Sequence, residues 1–250
     1  MAGHSKWANI KHKKGKADAA RAKVFSKLGR EITVAAKMGG GDPDMNPRLR
    51  LAIATAKGQS MPKDAIERAV AKGVGGNEGE DYEEMRYEGY GPGGVAIIVE
   101  CLTDNKNRTA GEVRSSFTKH GGNLGETGSV GFMFDRIGEI VYPADKAAED
   151  EMFEAAVEAG AENVESDSDF HTITTAPDDF GAVFDVLSAK YGEPERSGLA
   201  WAANVMSPQD EEGAATILKL VDVLEDNDDV QTVTTNMDVD DAVMEKLLSD

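Results

Sequence analysis

At 250 residues, with 40% hydrophobic content and a formal net charge of −19, the chain is long enough for two or three small domains and apolar enough to bury them. It is therefore not disordered as a whole. A single cysteine, Cys101, excludes an internal disulfide and a cysteine-built metal cage, and it fits a reducing, cytosolic setting. The longest apolar run, Val95–Val99, is far too short to span a bilayer, and the basic start has no apolar secretory core.

The charge is unevenly placed. The first thirty residues carry nine Lys or Arg against one acid, Asp18. Through Gly75 the balance is sixteen bases against six acids, and the remaining residues hold eleven bases against forty acids. Such a separation gives the basic end the character of a polyanion-binding surface, while the acidic body is repelled by the same polyanion.

In chain order, the first region (1–78) reads as a basic helical domain. Between Ala17 and Met38, Phe25, Leu28, Ile32 and Ala36 recur at helical spacing, with Lys16, Lys23, Lys27, Arg30 and Lys37 on the other face. Arg21 falls near the apolar edge, where its stem can snorkel. Asn46-Pro47 is a cap followed by Pro at the first helical position, and Gly58 is expected to stop that helix. Ser60 and Pro62 open a third helix, closed by Gly73, and Gly75–Gly79 forms a linker.

From Tyr82 the period changes to that of strands. Met85–Tyr90 and Val95–Leu102 flank the turn Gly91-Pro92-Gly93-Gly94. Thr109 and Glu112 have capping-box spacing and are expected to open a helix to His120, followed by a strand over Ser129–Phe134. Residues 137–206 then read β-α-β-β-α-β, the ferredoxin-like order. A helix over Glu211–Leu224, a strand over Gln231–Asn236 and a short helix follow. The expectation is an α+β protein in which residues 79–136 and 207–250 form a discontinuous α/β domain, with the ferredoxin-like unit inserted into it.

The tail is the candidate site. Lys6, Lys11, Lys13, Lys14 and Lys16 lie where almost nothing apolar supports a fold, and Lys gives point-charge contacts to phosphate. Trp7 can stack on an unpaired base, and His12 can add phosphate or base contacts. Arg21, Lys23, Lys27 and Arg30 extend the basic surface along the helix. The alternative is a solubilising tail with Trp7 packed on the helices, but in so acidic a chain the nucleic-acid reading is favoured. His4 and His12 have no partner at metal-ligand spacing. His120 reads as a helix-end residue, His171 as a sheet residue and Cys101 as inert core.

Gly121–Gly128 follows a helix and precedes a strand, the wrong order for a dinucleotide loop, so it reads as helix-stop and turn chemistry. Asp104-Asn105-Lys106-Asn107-Arg108 lies on a strand-to-helix loop, where turn formation explains more than binding does. No catalytic set, metal site or cofactor is expected.

GHSKWANIKHKK (Gly3–Lys14), NPRLRLAI (Asn46–Ile53), MPKDAIERA (Met61–Ala69), YEGYGPGGVAIIVE (Tyr87–Glu100), TDNKNRTAGEVRSSF (Thr103–Phe117) and GGNLGETGSV (Gly121–Val130) closely resemble the YebC family. The family includes a mitochondrial translational activator of cytochrome oxidase subunit I. The resemblance implies a three-domain α/β protein with an N-terminal helical domain, and a start like that of bacterial members without a presequence. It also implies a regulator of gene expression: a DNA-binding transcriptional regulator by the traditional label, or a translation factor that helps the ribosome through proline runs. A Lys-rich tail with one Trp and no helix-turn-helix leans slightly to RNA; the partners expected are ribosomal RNA, tRNA or DNA, with the ribosome or the transcription machinery, and the location expected is cytoplasmic. Ser60 stands where the family is expected to have Asn; either residue can cap a helix. The acid-rich Glu225–Asp250 carries no function in this reading.

Overall fold

The structure is a computed structural model describing residues 18–75 and 82–247. The tail and most of the expected linker lie outside these residues. In chain order come α1 (Asp18–Gly39), α2 (Pro47–Gly58), α3 (Lys63–Val74), β1 (Glu83–Tyr90), β2 (Ala96–Thr103), α4 (Lys106–Lys119) and β3 (Asn123–Leu124). Then follow β4 (Phe134–Pro143), α5 (Glu149–Ala159), β5 (Asn163–Ser166), β6 (Phe170–Thr175), α6 (Phe180–Tyr191) and β7 (Arg196–Ala203). The chain closes with β8 (Ser207–Pro208), α7 (Glu211–Glu225), β9 (Val230–Thr235), β10 (Met237–Asp238) and α8 (Asp241–Leu247). The fold is α+β, as the sequence predicts.

Contacts gather these elements into two compact units, one of residues 28–75 and 136–200, the other of residues 18–27, 82–135 and 201–247. In the first, Asn46 does cap α2, accepting from Leu49 N at 3.1 Å, while its amide donates to Ala35 O and Gly40 O at the end of α1. One side chain thus caps α2 and ties it to the end of α1.

Two expectations in this region are corrected. Gly73 does not close α3, which runs on to Val74. A Cβ on Gly73 would lie 2.4 Å from Thr33 O, so this glycine is required by the close crossing of α1 and α3. Ser60 does not cap α3, whose Ncap is Pro62 with no side-chain bond. Instead Ser60 is left-handed (φ 59°) and closes α2: Ser60 N donates to Lys57 O and Met61 N to Ala56 O, both at 2.9 Å. That αL position explains why Asn suits it, since Asn tolerates positive φ better than Ser.

The sheet of this unit has the order β5-β6-β4-β7, which with the β-α-β-β-α-β succession is the ferredoxin-like arrangement. Ile140, Tyr142, Met152, Ile173, Val183 and Leu187 form its core, and Ala54 of α2 joins them. Gly58 lets α2 approach the strand-leading backbone: a Cβ there would lie 2.4 Å from Pro194 O, and Gln59 donates to Glu195 O at 2.9 Å.

The other unit holds an antiparallel sheet of order β3-β1-β2-β9. On one face Ile97, Val99 and Cys101 pack with Val113, Phe117, Ile217, Leu220 and Leu224 of α4 and α7. On the other, Ala96 and Ile98 meet Val130, Phe134 and Ala203. Burial on both faces is why β2 reads as a continuous apolar run rather than an alternating one.

Two further corrections belong to this unit. α4 begins at Lys106 behind Asn105, which accepts from Arg108 N at 3.1 Å, so Thr109 is not its cap. The expected strand over Ser129–Phe134 is a turn and a short 3₁₀ segment, Gly131–Met133, before β4. Its backbone is drawn away from pairing by Glu88, a buried carboxylate that accepts from Val130 N at 2.9 Å and Gly131 N at 2.8 Å. Burial alone would raise the Glu88 pKa; these amides and Arg86, 3.0 Å away, outweigh it and hold the carboxyl below its usual range.

Candidate nucleic-acid interface

Seven of the expected contact residues, Lys6, Trp7, Lys11, His12, Lys13, Lys14 and Lys16, lie outside the described residues. Arg21 lies on α1. Lys23, Lys27 and Arg30, spaced four and three apart, fall on one stripe of that helix. Arg30 is half-buried. Lys23 Nζ stands 2.5 Å from Asp226 Oδ1, and Lys27 Nζ donates to Glu225 O at 2.8 Å.

The partner element explains the geometry. Glu225 ends α7 and Asp226 is its Ccap, so a carboxylate and the unsatisfied carbonyls of a helix C-terminus converge there. Two cations of α1 meet them. The Lys23–Asp226 side chains are 45% and 74% exposed, so the pair is an exposed one, worth about 0–1 kcal/mol. Sequence reading found the lysine stripe and missed this partner, more than two hundred residues away; the clustered acids after Glu225 were its only signal.

The other motifs prove structural. Asp229, almost fully buried, accepts from Arg108 Nη2 at 2.6 Å, Thr109 Oγ1 at 2.7 Å and Thr103 Oγ1 at 3.1 Å. Arg108 also reaches Asp104 at 2.8 Å. Burial pushes the Asp229 pKa up, but the hydrogen bonds from Arg108, Thr109 and Thr103 prevail and lower it. The polar loop after β2 is thus a pin that ties the start of α4 to the approach to β9. In the glycine-rich loop, Gly121 and Gly128 adopt φ of 75° and 88°, which is turn chemistry.

Cys101 is buried, and burial foremost pushes its thiol up to about 12, leaving it unionised and inert. His120 is the Ccap of α4, its Nδ1 2.8 Å from Ser116 O. His171 is buried in β6, with Nε2 3.1 Å from Ala147 O and Nδ1 2.7 Å from the Ser166 hydroxyl, so both ring nitrogens are engaged within the fold. A cleft of about 340 Å³ opens between α2 and α6, but its charged lining is mixed, with Arg50 3.7 Å from Asp185. Among the described residues, no group of three or more His, Cys, Asp or Glu is placed to hold a metal ion. No helix among them is long and apolar enough to cross a membrane.

The described residues thus place a basic helix stripe on a mixed α/β body, with Asp229, Glu88 and His171 held in internal hydrogen bonds. Comparison with known families gives the chain a place. The TACO1/YebC N-terminal domain matches residues 5–76, and the TACO1/YebC second and third domains match residues 82–237. The chain belongs to the TACO1/YebC family, and this membership supports a regulator-type function. The crystal structure of a conserved hypothetical protein, Aq1575 from Aquifex aeolicus, superposes with a TM-score of 0.87 at 48% identity, over 94% of this chain and 98% of that one.

Proposed function

We propose that the protein is a non-enzymatic, nucleic-acid-binding regulator of gene expression that docks through its basic N-terminal region on RNA, as a translation factor at the ribosome. The observation that carries the reading is the concentration of Lys, Arg and one Trp in the first thirty residues of a chain of net charge −19. A Lys-rich segment with an aromatic suits backbone and unstacked-base contacts, which single-stranded and looped RNA offers. Membership of the TACO1/YebC family agrees with a regulatory role. The acidic body then keeps the remaining surface off the polyanion and leaves it for basic protein surfaces.

The test is sedimentation of the intact protein and a Gly3–Lys16 deletion with ribosomes across a salt series. Binding should fall steeply with salt and drop on deletion. Unchanged binding by the deletion would remove the docking role from the tail. The second reading is a DNA-binding transcriptional regulator; a footprint that survives excess random DNA would favour it.

A further inference from the structure

The contact between α1 and the end of α7 joins two surfaces of opposite purpose. Lys23 and Lys27 belong to the stripe that should meet phosphates, yet in the structure they are held by Asp226 and by the terminal carbonyl of Glu225. We propose that the C-terminal end of α7 is an intramolecular competitor for nucleic acid: it occupies Lys23 and Lys27 in the free protein and must yield them before a phosphate backbone can bind there. The inference rests on the reading of α1 as a nucleic-acid surface and adds a regulation of that surface.

The argument is electrostatic. A phosphate that approaches Lys23 meets Asp226 at ion-pair distance from the same ammonium. It must displace that carboxylate or bear its repulsion. The α7 C-terminus adds the negative end of a fifteen-residue helix. Glu225, Asp226 and Asp228 stand there with only Asn227 between, so like charge extends past the contact itself.

The magnitude sets the kind of regulation. Both side chains of the ion pair are substantially exposed, and such pairs typically alter an equilibrium by roughly two- to five-fold. The latch is therefore a graded filter, too weak for an on-off switch. It subtracts from loose binding to any polyanion. A ligand with enough other contacts to open it loses only that small factor. There is a second signature. A phosphate that takes Lys23 from Asp226 releases cations from the RNA but frees a carboxylate that draws cations back, so this contact is under-represented in the salt dependence. Freeing the lysine should steepen log K against log salt by roughly 0.7 per lysine for a single strand.

The experiment is fluorescence anisotropy of a labelled single-stranded 30-nucleotide RNA, titrated across a potassium chloride series. The full-length proteins are wild type, Asp226→Asn, Lys23→Gln, the double variant, and Glu126→Gln as a control that removes one exposed acid elsewhere in the same unit. Asp226→Asn should bind roughly two- to five-fold tighter at low salt with a steeper slope, and the gain should vanish in the Lys23→Gln background. A gain no larger than that of Glu126→Gln, or one that persists without Lys23, overturns the latch and leaves the nucleic-acid reading intact. Absence of binding by wild type and Asp226→Asn alike would instead overturn the reading on which the latch rests.

Discussion

Asp229→Ala removes the acceptor at the centre of the pin between α4 and the approach to β9. The carboxylate takes hydrogen bonds from two buried hydroxyls, Thr109 Oγ1 at 2.7 Å and Thr103 Oγ1 at 3.1 Å, besides the exposed Arg108. Hydrogen bonds to a charged group contribute about 1.5–3 kcal/mol each. Part of the loss is recovered, because Thr109 can still donate to Thr103 Oγ1 at 2.8 Å or to Asn105 O at 3.0 Å. The alanine variant should therefore lose about 3 kcal/mol and Asp229→Asn, which keeps the shape and one acceptor, about 1.5 kcal/mol. Urea unfolding gives the total. Hydrogen exchange at Leu102, whose amide donates to Asp229 O at 2.8 Å, locates it. The pH dependence has a defined sign. The folded Asp229 pKa lies below the ordinary 3.8, so its contribution is complete above that value and is lost as pH falls through the lower folded one. The gap between wild type and Asp229→Asn should thus be flat near neutrality and close in strong acid. A loss under about 0.5 kcal/mol for the alanine variant would refute the account of the pin.

Gly73→Ala should destabilise the helical region by about 1–3 kcal/mol in thermal melts, because its methyl would lie 2.4 Å from Thr33 O and 2.7 Å from the Ala36 methyl. Ser60→Gly should raise stability by up to about 1 kcal/mol, since relief of the left-handed strain at φ 59° exceeds glycine's unfolded-state entropy; an unchanged or lower midpoint would count against that strain. Cys101 should resist a thiol-specific disulfide reagent at pH 8 in the native protein and react fully in denaturant, because its pKa is raised to about 12 and it is buried.

The regular elements were legible because their periods are strong. The ferredoxin-like succession from β4 to β7 followed from alternation between period-two and period-3.6 segments, and Asn46-Pro47 marked a cap that the structure shows. What escaped were side chains whose partners lie far along the chain. Thr109 has the right spacing to Glu112 for a local cap, yet its hydroxyl goes to Asp229. Ser129–Phe134 has strand composition, yet a carboxylate on β1 takes two of its amides. Ser60 is a good capping residue by type, and only its φ shows that it closes the preceding helix. The candidate site followed the same division. A stripe of lysines is a property of one helix and can be counted off, whereas its occupation by Asp226 depends on tertiary placement.

The place of β9 in the sheet has a consequence for biosynthesis. β2 pairs with β1 along one edge and with β9 along the other, and apart from Glu100 and Thr103 its residues are apolar and buried, on both faces. About 130 residues separate the end of β2 from β9, so at ribosomal rates of ~5–20 residues per second that edge waits on the order of ten seconds for its partner. An exposed apolar strand edge is an invitation to intermolecular pairing. The nascent chain is thus most open to capture by other chains, or by chaperones, while the inserted ferredoxin-like segment is being made.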